Sequence, residues 1–299
     1  MSGSALLALL ASCLMWGTTG IVAAGMTADV STLAIGSFTM GVGGLILAAL
    51  TWRNVRRALA IRRARLWVLL GGLGVFVYPL AFYAGMHDAG VAVGNTVALG
   101  SGPLFAGVIE WVATKRAPHR GWFVALGIAT IGLVCVGVAR GGSNSVGFTG
   151  VLLAVLAGIA YALYSVAGSR VIAAGADFRG SMGSVFGAGA LPLLAVLMTT
   201  GLPLVNNPEN LVRGAYLALG PLVLAYLLFG YALTRASASL VTLVTLLEPV
   251  FATILAVVVL GEALPPVGWF GVGLLVTGVA VATVPRRAAD IPKSDPITR

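Results

Sequence analysis

GPLFAGVIEWV (Gly102–Val112) and EPVFATILAVV (Glu248–Val258) are the two stretches on which the reading of this chain turns. Pro103, Phe105 and Ala106 in the first match Pro249, Phe251 and Ala252 in the second. Upstream, DAGVAVGNTVALGSGP (Asp88–Pro103) parallels RASASLVTLVTLLEP (Arg235–Pro249) with one residue fewer. Two apolar segments distant in the chain are therefore copies of each other, and each keeps a proline inside a run that otherwise reads as helix. The second copy adds a carboxylate, Glu248, beside its proline. In the first copy Gly102 stands at that position.

Composition says what surrounds these segments. Only 9% of the 299 residues are charged and 59% are hydrophobic, with a mean hydropathy of +1.02. Soluble domains carry about a quarter charged residues, so the chain is an integral membrane protein. At about 20 residues per crossing, its length accommodates roughly ten helices. Apolar runs bounded by turn signals predict them near 4–25, 30–52, 66–86, 91–113, 121–139, 147–168, 182–200, 213–233, 237–260 and 266–284. Continuous runs of this length are not the alternating strands of a membrane barrel. The 41 glycines fit close helix packing in lipid rather than disorder. The N-terminal run, Met1–Met26, has no basic segment before it and reads as a retained first helix, not a signal peptide.

The fourth and ninth helices carry the copied segments, so each copy belongs to a set of five. An odd number of crossings inserts the two sets in opposite senses. The expected fold is all-α and integral to the membrane, with ten transmembrane helices in two inverted five-helix repeats. The repeats span 1–140 and 147–286, and a cytoplasmic tail follows at 287–299. In transporters built this way the substrate site lies near the midplane between repeats, often at broken helices. Pro103 and Pro249 are the expected hinges, since proline removes a backbone donor and bends a helix. Pro79 and Pro221 add bends in the third and eighth helices.

The 18 Lys and Arg residues set the orientation. Sixteen gather on one face: Arg53, Arg56, Arg57, Arg62, Arg63, Arg65, Lys115, Arg116, Arg120, Arg170, Arg179, Arg235, Arg286, Arg287, Lys293 and Arg299. Arg140 and Arg213 alone fall on the other. Cytoplasmic loops collect bases, so both termini are expected in the cytoplasm. Topology thus accounts for the net charge of +9, and no nucleic-acid partner is called for. All 18 bases fall in loops or at helix ends. None remains for the membrane interior, which disfavours substrates with exposed phosphates.

TLLEPVFATILAVVVLGE (Thr245–Glu262), AYALYSVAGSR (Ala160–Arg170) and the Trp16–Gly17 pair resemble the EamA type of the drug/metabolite transporter superfamily. The likeness runs from Trp16 through Glu262. Within that group the chain is most similar to the YddG-type exporters of aromatic amino acids. The resemblance implies export of amino acids across a bacterial inner membrane by alternating access. The chain departs from the pattern at Gly102, at Lys115–Arg116 where the second copy has Gly261–Glu262, and in a second helix without arginine.

Aromatic residues sort by depth. Trp52, Trp67, Trp111, Trp122 and Trp269 lie near helix ends, the ordinary interfacial belt. Trp16, Tyr78, Tyr161 and Tyr226 lie near mid-depth and are the leading cavity candidates, set against simple interhelical hydrogen bonding. Tyr83, Tyr164 and Tyr231 lie closer to the ends, although Tyr164 shares a helix face with Tyr161 and stays a cavity candidate, together with Asn95, Ser101, Thr245 and Glu248. Asn95 is expected to bond another helix in preference to a ligand. Ser101 is expected to bond the carbonyl that Pro103 leaves free, and Thr245 shares a face with Glu248.

Two readings stand for Glu248, the only carboxylate near the bilayer centre. An ionised carboxylate there costs at least ~3 kcal/mol unless paired or hydrated. Either it is protonated and bonded to a backbone carbonyl, or it acts in transport. Glu110 is expected to pair with the bases near Lys115, and the remaining acids (Asp29, Asp88, Asp177, Glu209, Glu262, Asp290, Asp295) to be solvated. Cys13 and Cys135 read as packing residues. His87 and His119 lie in loops on opposite sides. With no metal-ligand spacing and no converging acid, base and nucleophile, the expectation is a transporter and not an enzyme, without cofactor or metal. Its partners would be amino acid substrates and the lipid bilayer, and a monomer is the working expectation. The rival reading is a proton-coupled efflux pump for hydrophobic cations, with Glu248 as the anionic site.

Overall fold

Ten helices long and apolar enough to cross a membrane run through the computed structural model, which describes residues 1–141 and 147–283. They are Gly3–Ala24, Thr32–Leu50, Arg62–Ala89, Val91–Thr114, Arg120–Ala139, Phe148–Ala173, Phe178–Thr200, Pro208–Leu233, Ala238–Leu260 and Pro266–Thr283, referred to below as the first to the tenth. No strand occurs among the described residues. The tail expected at 287–299, with Arg286, Arg287, Lys293, Arg299, Asp290 and Asp295, lies outside them.

Several helices run further than hydropathy alone predicts, because polar caps begin them beyond the apolar run. The Asp177 side chain accepts from the Gly180 N–H at 2.7 Å and starts the seventh helix. Asn207 accepts from the Glu209 and Asn210 N–H groups ahead of the eighth, with Pro208 in its first turn. A further helix, Trp52–Ala60, went unread in the sequence. It buries Val55 and Ala58 against the seventh helix and turns Arg53, Arg56 and Arg57 outward.

Packing follows the inverted repeat. The third helix packs on the sixth, and its counterpart, the eighth, packs on the first. The fourth packs on the sixth as the ninth packs on the first. The second and seventh, the fourth and ninth, and the fifth and tenth pair with their own counterparts across the pseudo-twofold axis. The copied helices also end alike. Lys115 closes the fourth at φ 59° and Gly261 closes the ninth at φ 68°. These residues stand 13 positions after Gly102 and Glu248 respectively, so a left-handed terminus was kept even where glycine was not.

Four helices lose regularity, all beside the space between the repeats. The first breaks at Thr18, where the hydroxyls of Thr18 and Thr19 bond back to the carbonyls of Met15 and Trp16 at 2.6 and 2.7 Å. Beyond it, Thr19–Ala24 buries no residue. The second and eighth contain π-turns at Phe38–Val42 and Ala218–Leu224, which pack on each other. The ninth passes through a 3₁₀ turn at Thr245–Leu247, directly before Glu248 and Pro249. The fourth runs unbroken through Pro103.

Candidate functional site

A cavity of about 340 Å³ lies between the halves. Trp16, Tyr78 and Asn95 line it from the first repeat, and Tyr161, Tyr226 and Glu248 from the second. Ala23, Met86, Val91 and Arg140 surround its mouth, on the face opposite the cluster of bases.

Its floor is a hydrogen-bonded aromatic layer. The Tyr161 hydroxyl and Thr245 Oγ1 are 2.6 Å apart, and the hydroxyls of Tyr164 and Tyr226 are 2.7 Å apart. Trp16 Nε1 donates to the Pro221 carbonyl at 2.7 Å, inside the π-turn of the eighth helix, and its ring tilts against Tyr226 at 5.1 Å. Phe186 sits behind Tyr226 at 4.2 Å. These bonds satisfy the buried N–H and O–H groups, as a low-dielectric site demands. The aromatic residues therefore serve both roles weighed in the sequence: they tie helices together and they face the cavity.

Three polar groups facing the cavity are different. Asn95, the Tyr78 hydroxyl and the Glu248 carboxylate line it with no hydrogen-bond partner among the described residues. The interhelical bond expected of Asn95 is not formed, and neither is the backbone bond weighed for Glu248. Polar groups at mid-membrane depth without protein partners are open to a ligand or to water.

Tyr161 also explains why the first repeat lacks the carboxylate. A Cβ built on Gly102 would lie 2.5 Å from Tyr161 Cδ1, so a larger residue there would have to displace that ring. Ser101 is outside the cavity. Its hydroxyl bonds the Ala98 carbonyl at 3.3 Å, not that of Leu99, which Pro103 leaves free, and it packs against Gly158.

Four expectations need correction. Arg140, at the end of the fifth helix, reaches the cavity mouth and donates to Thr253 Oγ1 at 3.1 Å, so one cation does line the space between the repeats. Among the described residues Glu110 makes no ion pair: its carboxylate accepts from the Ala238 and Ser239 N–H groups at 3.2 and 3.0 Å and caps the ninth helix. Trp122 is not an interfacial residue. It is 3% exposed and donates to the Ser239 carbonyl at 3.1 Å. Tyr83 lines the cavity rather than the belt; the candidate Tyr164 lines it too and is 1% exposed. Trp52, Trp111 and Trp269 are exposed, as a belt requires. Tyr231 lies at the basic face under Arg235, 3.7 Å from its ring.

On the basic face a separate depression, bordered by Glu110, Arg170 and Ser239, shares no lining residue with the central cavity. The Glu110 cap and the Trp122 bond hold the ninth helix there. The cavity between the two halves and this depression are thus separate spaces. The EamA-like transporter family model matches residues 3–138 and 148–284, one copy on each half.

The chain belongs to the EamA-like transporter family. It is 31% identical over 282 residues to the uncharacterised transporter YwfM of Bacillus subtilis, covering 93% of this chain and 94% of that one. It is 25% identical over 283 residues to the uncharacterised inner membrane transporter YedA of Escherichia coli K12, covering 93% and 90%. A solved crystal structure, 21% identical, superposes with a TM-score of 0.76 over 95% of this chain and 97% of that one, which is a likeness of fold. As a member of the EamA-like family the protein is a multi-pass membrane transporter.

Proposed function

We propose that this transporter exports amino acids with aromatic or neutral side chains by alternating access. One observation carries the reading. An aromatic-walled cavity of about 340 Å³ presents Asn95 and Glu248, both without partners among the described residues, to its interior. Rings give a flat apolar wall for a side chain, and the free polar groups address a charged backbone. The volume lies in the range of small-molecule sites, about 300–1,000 Å³. The sequence likeness to YddG-type exporters supports the same substrate class. Likeness to YedA supports a bacterial inner membrane location.

With both termini in the cytoplasm, as the 16 to 2 distribution of bases argues, the cavity opens outward. Return to the inward state rocks the repeats about their midplane contacts. Pro249 follows the 3₁₀ turn and is the better supported hinge, whereas Pro103 lies in an unbroken helix. The rival, a proton-coupled pump for hydrophobic cations at Glu248, is weakened by Arg140 at the mouth, which repels cations on entry.

The test is transport of a labelled amino acid panel in proteoliposomes, with and without a proton gradient. Trp16→Ala and Tyr161→Ala are expected to lose transport at normal membrane abundance. Unchanged transport in both variants would falsify the aromatic pocket. Movement of organic cations, but of no amino acid, would establish the rival.

A further inference from the structure

Arg140 is the one lysine or arginine among the described residues that lines the central cavity, and Glu248 is the one carboxylate. The two also line the adjoining recess bounded by Asn95, Leu133 and Gly137. Their placement relative to each other follows from the ninth helix. Glu248 and Ala252 are four residues apart, share one face and both line these spaces, so about one helical turn of 5.4 Å separates them. Arg140 is fixed just beyond Ala252, because its Nη2 donates to Thr253 Oγ1 on the same helix. Thr253 is itself 1% exposed, whereas Arg140 is exposed, so a guanidinium open to the mouth is tethered to a buried hydroxyl.

Among the described residues the guanidinium, with its five N–H groups, makes one hydrogen bond, to Thr253 Oγ1. The remaining donors are exposed and available to a ligand, and none of them bonds Glu248. A cation and an anion are thus held along one wall, each with unused hydrogen-bonding capacity, with the span of about a helical turn between them. Paired directly, they would neutralise each other and close the mouth. Held apart, they match a ligand that itself carries an anion and a cation a short distance apart.

We propose that Arg140 and Glu248 form a two-point recognition site for a zwitterion, with the guanidinium on the substrate carboxylate and Glu248 on the substrate ammonium. Thr253 is the positioning residue that aims the guanidinium. This inference rests on the amino acid reading above and deepens it: substrate class is set by the pair of charges, and the aromatic wall sorts side chains. Two charge-assisted bonds of about 2.8 Å each, bridged by the single carbon that carries both groups, extend over more than one helical turn. The geometry therefore suits an α-amino acid better than a lone amine or a lone acid.

The test compares equilibrium binding of L-phenylalanine and L-phenylalaninamide to the purified full chain. The amide keeps the ring and the amine and lacks only the carboxylate. Wild type is expected to prefer phenylalanine by roughly 10- to 100-fold, the range for one charge-assisted hydrogen bond. Arg140→Gln should weaken phenylalanine by that factor without weakening the amide, which also shows that the variant is folded. Arg140→Lys should recover part of the preference, and Thr253→Val should lose part of it. An equal change for both ligands, or none, overturns the proposal while leaving amino acid transport standing. Failure of wild type to bind or carry any amino acid overturns the underlying reading, and this proposal with it.

Discussion

Tyr161 lies across Gly102 so closely that a Cβ there would meet its ring at 2.5 Å, while its hydroxyl reaches Thr245 three residues before Glu248. A single side chain of the second repeat thus occupies the space where the first repeat would hold its own copy of the glutamate. Gly102→Ala is expected to displace the ring at a cost of about 1–3 kcal/mol, the usual penalty for overpacking. Thermal unfolding in detergent would read this as a lowered midpoint. Gly102→Glu, which restores the signature of the ninth helix, should fail to accumulate in membranes. Normal accumulation of that variant would show that the ring moves freely.

The bond between Tyr161 and Thr245 ties the sixth helix to the 3₁₀ turn of the ninth. A double-mutant cycle with Tyr161→Phe and Thr245→Val should return a coupling of about 0.5–1.5 kcal/mol in stability. Additive effects would mean that the hydroxyls do not act as a pair.

Glu110 and Trp122 fasten the start of the ninth helix on the basic face. Glu110→Ala leaves two N–H groups uncapped and is expected to cost about 1 kcal/mol. It should also shift the protein toward opening on that side. In a background lacking Cys13 and Cys135, a cysteine at Leu240 should react faster with a membrane-impermeant thiol reagent when Glu110 is alanine. An unchanged rate would count against the cap as a latch.

Glu248 accepts no hydrogen bond from the described residues, so Glu248→Gln removes no protein contact. Its thermal midpoint should match wild type, while phenylalanine binding falls by roughly 10-fold or more. A large loss of stability would instead assign the carboxylate a structural role.

Lys115 adopts φ 59° where its counterpart Gly261 adopts φ 68°. A left-handed conformation costs a non-glycine residue about 1–2 kcal/mol. Lys115→Gly is expected to raise the unfolding midpoint, and Gly261→Ala to lower it. The pair of shifts, measured in one detergent, would confirm that the two helix ends are equivalent.

The helices and their repeat were legible because both are local and repetitive. An apolar run of about 20 residues has no alternative to a helix in lipid, and Pro103 with Pro249 marked the copies. The caps Asp177 and Asn207 went unread, so hydropathy alone placed those helix starts a few residues late. The Trp52–Ala60 helix was missed because its arginines read equally well as a basic loop. Position along a span put Trp16, Tyr78, Tyr161 and Tyr226 near one depth, and in the structure all four line one cavity.

Direction around each helix was not. In a soluble protein the apolar stripe reveals the inward face, but lipid is as apolar as the core, so these helices carry no such stripe. Hence Trp122 looked like an interfacial residue and is buried, while Tyr83 looked peripheral and lines the cavity. Arg140 and Glu110 were misread for a related reason. Both sit at helix ends, where sequence places solvated charges, and only the packing of the ninth helix against the fourth and fifth gives them Thr253 and the Ala238–Ser239 amides as partners. The sequence by itself determined the number of crossings, their inversion and the bias of charge between faces. The tertiary structure decided which charges face the cavity, because that depends on how helices remote in sequence turn toward one another.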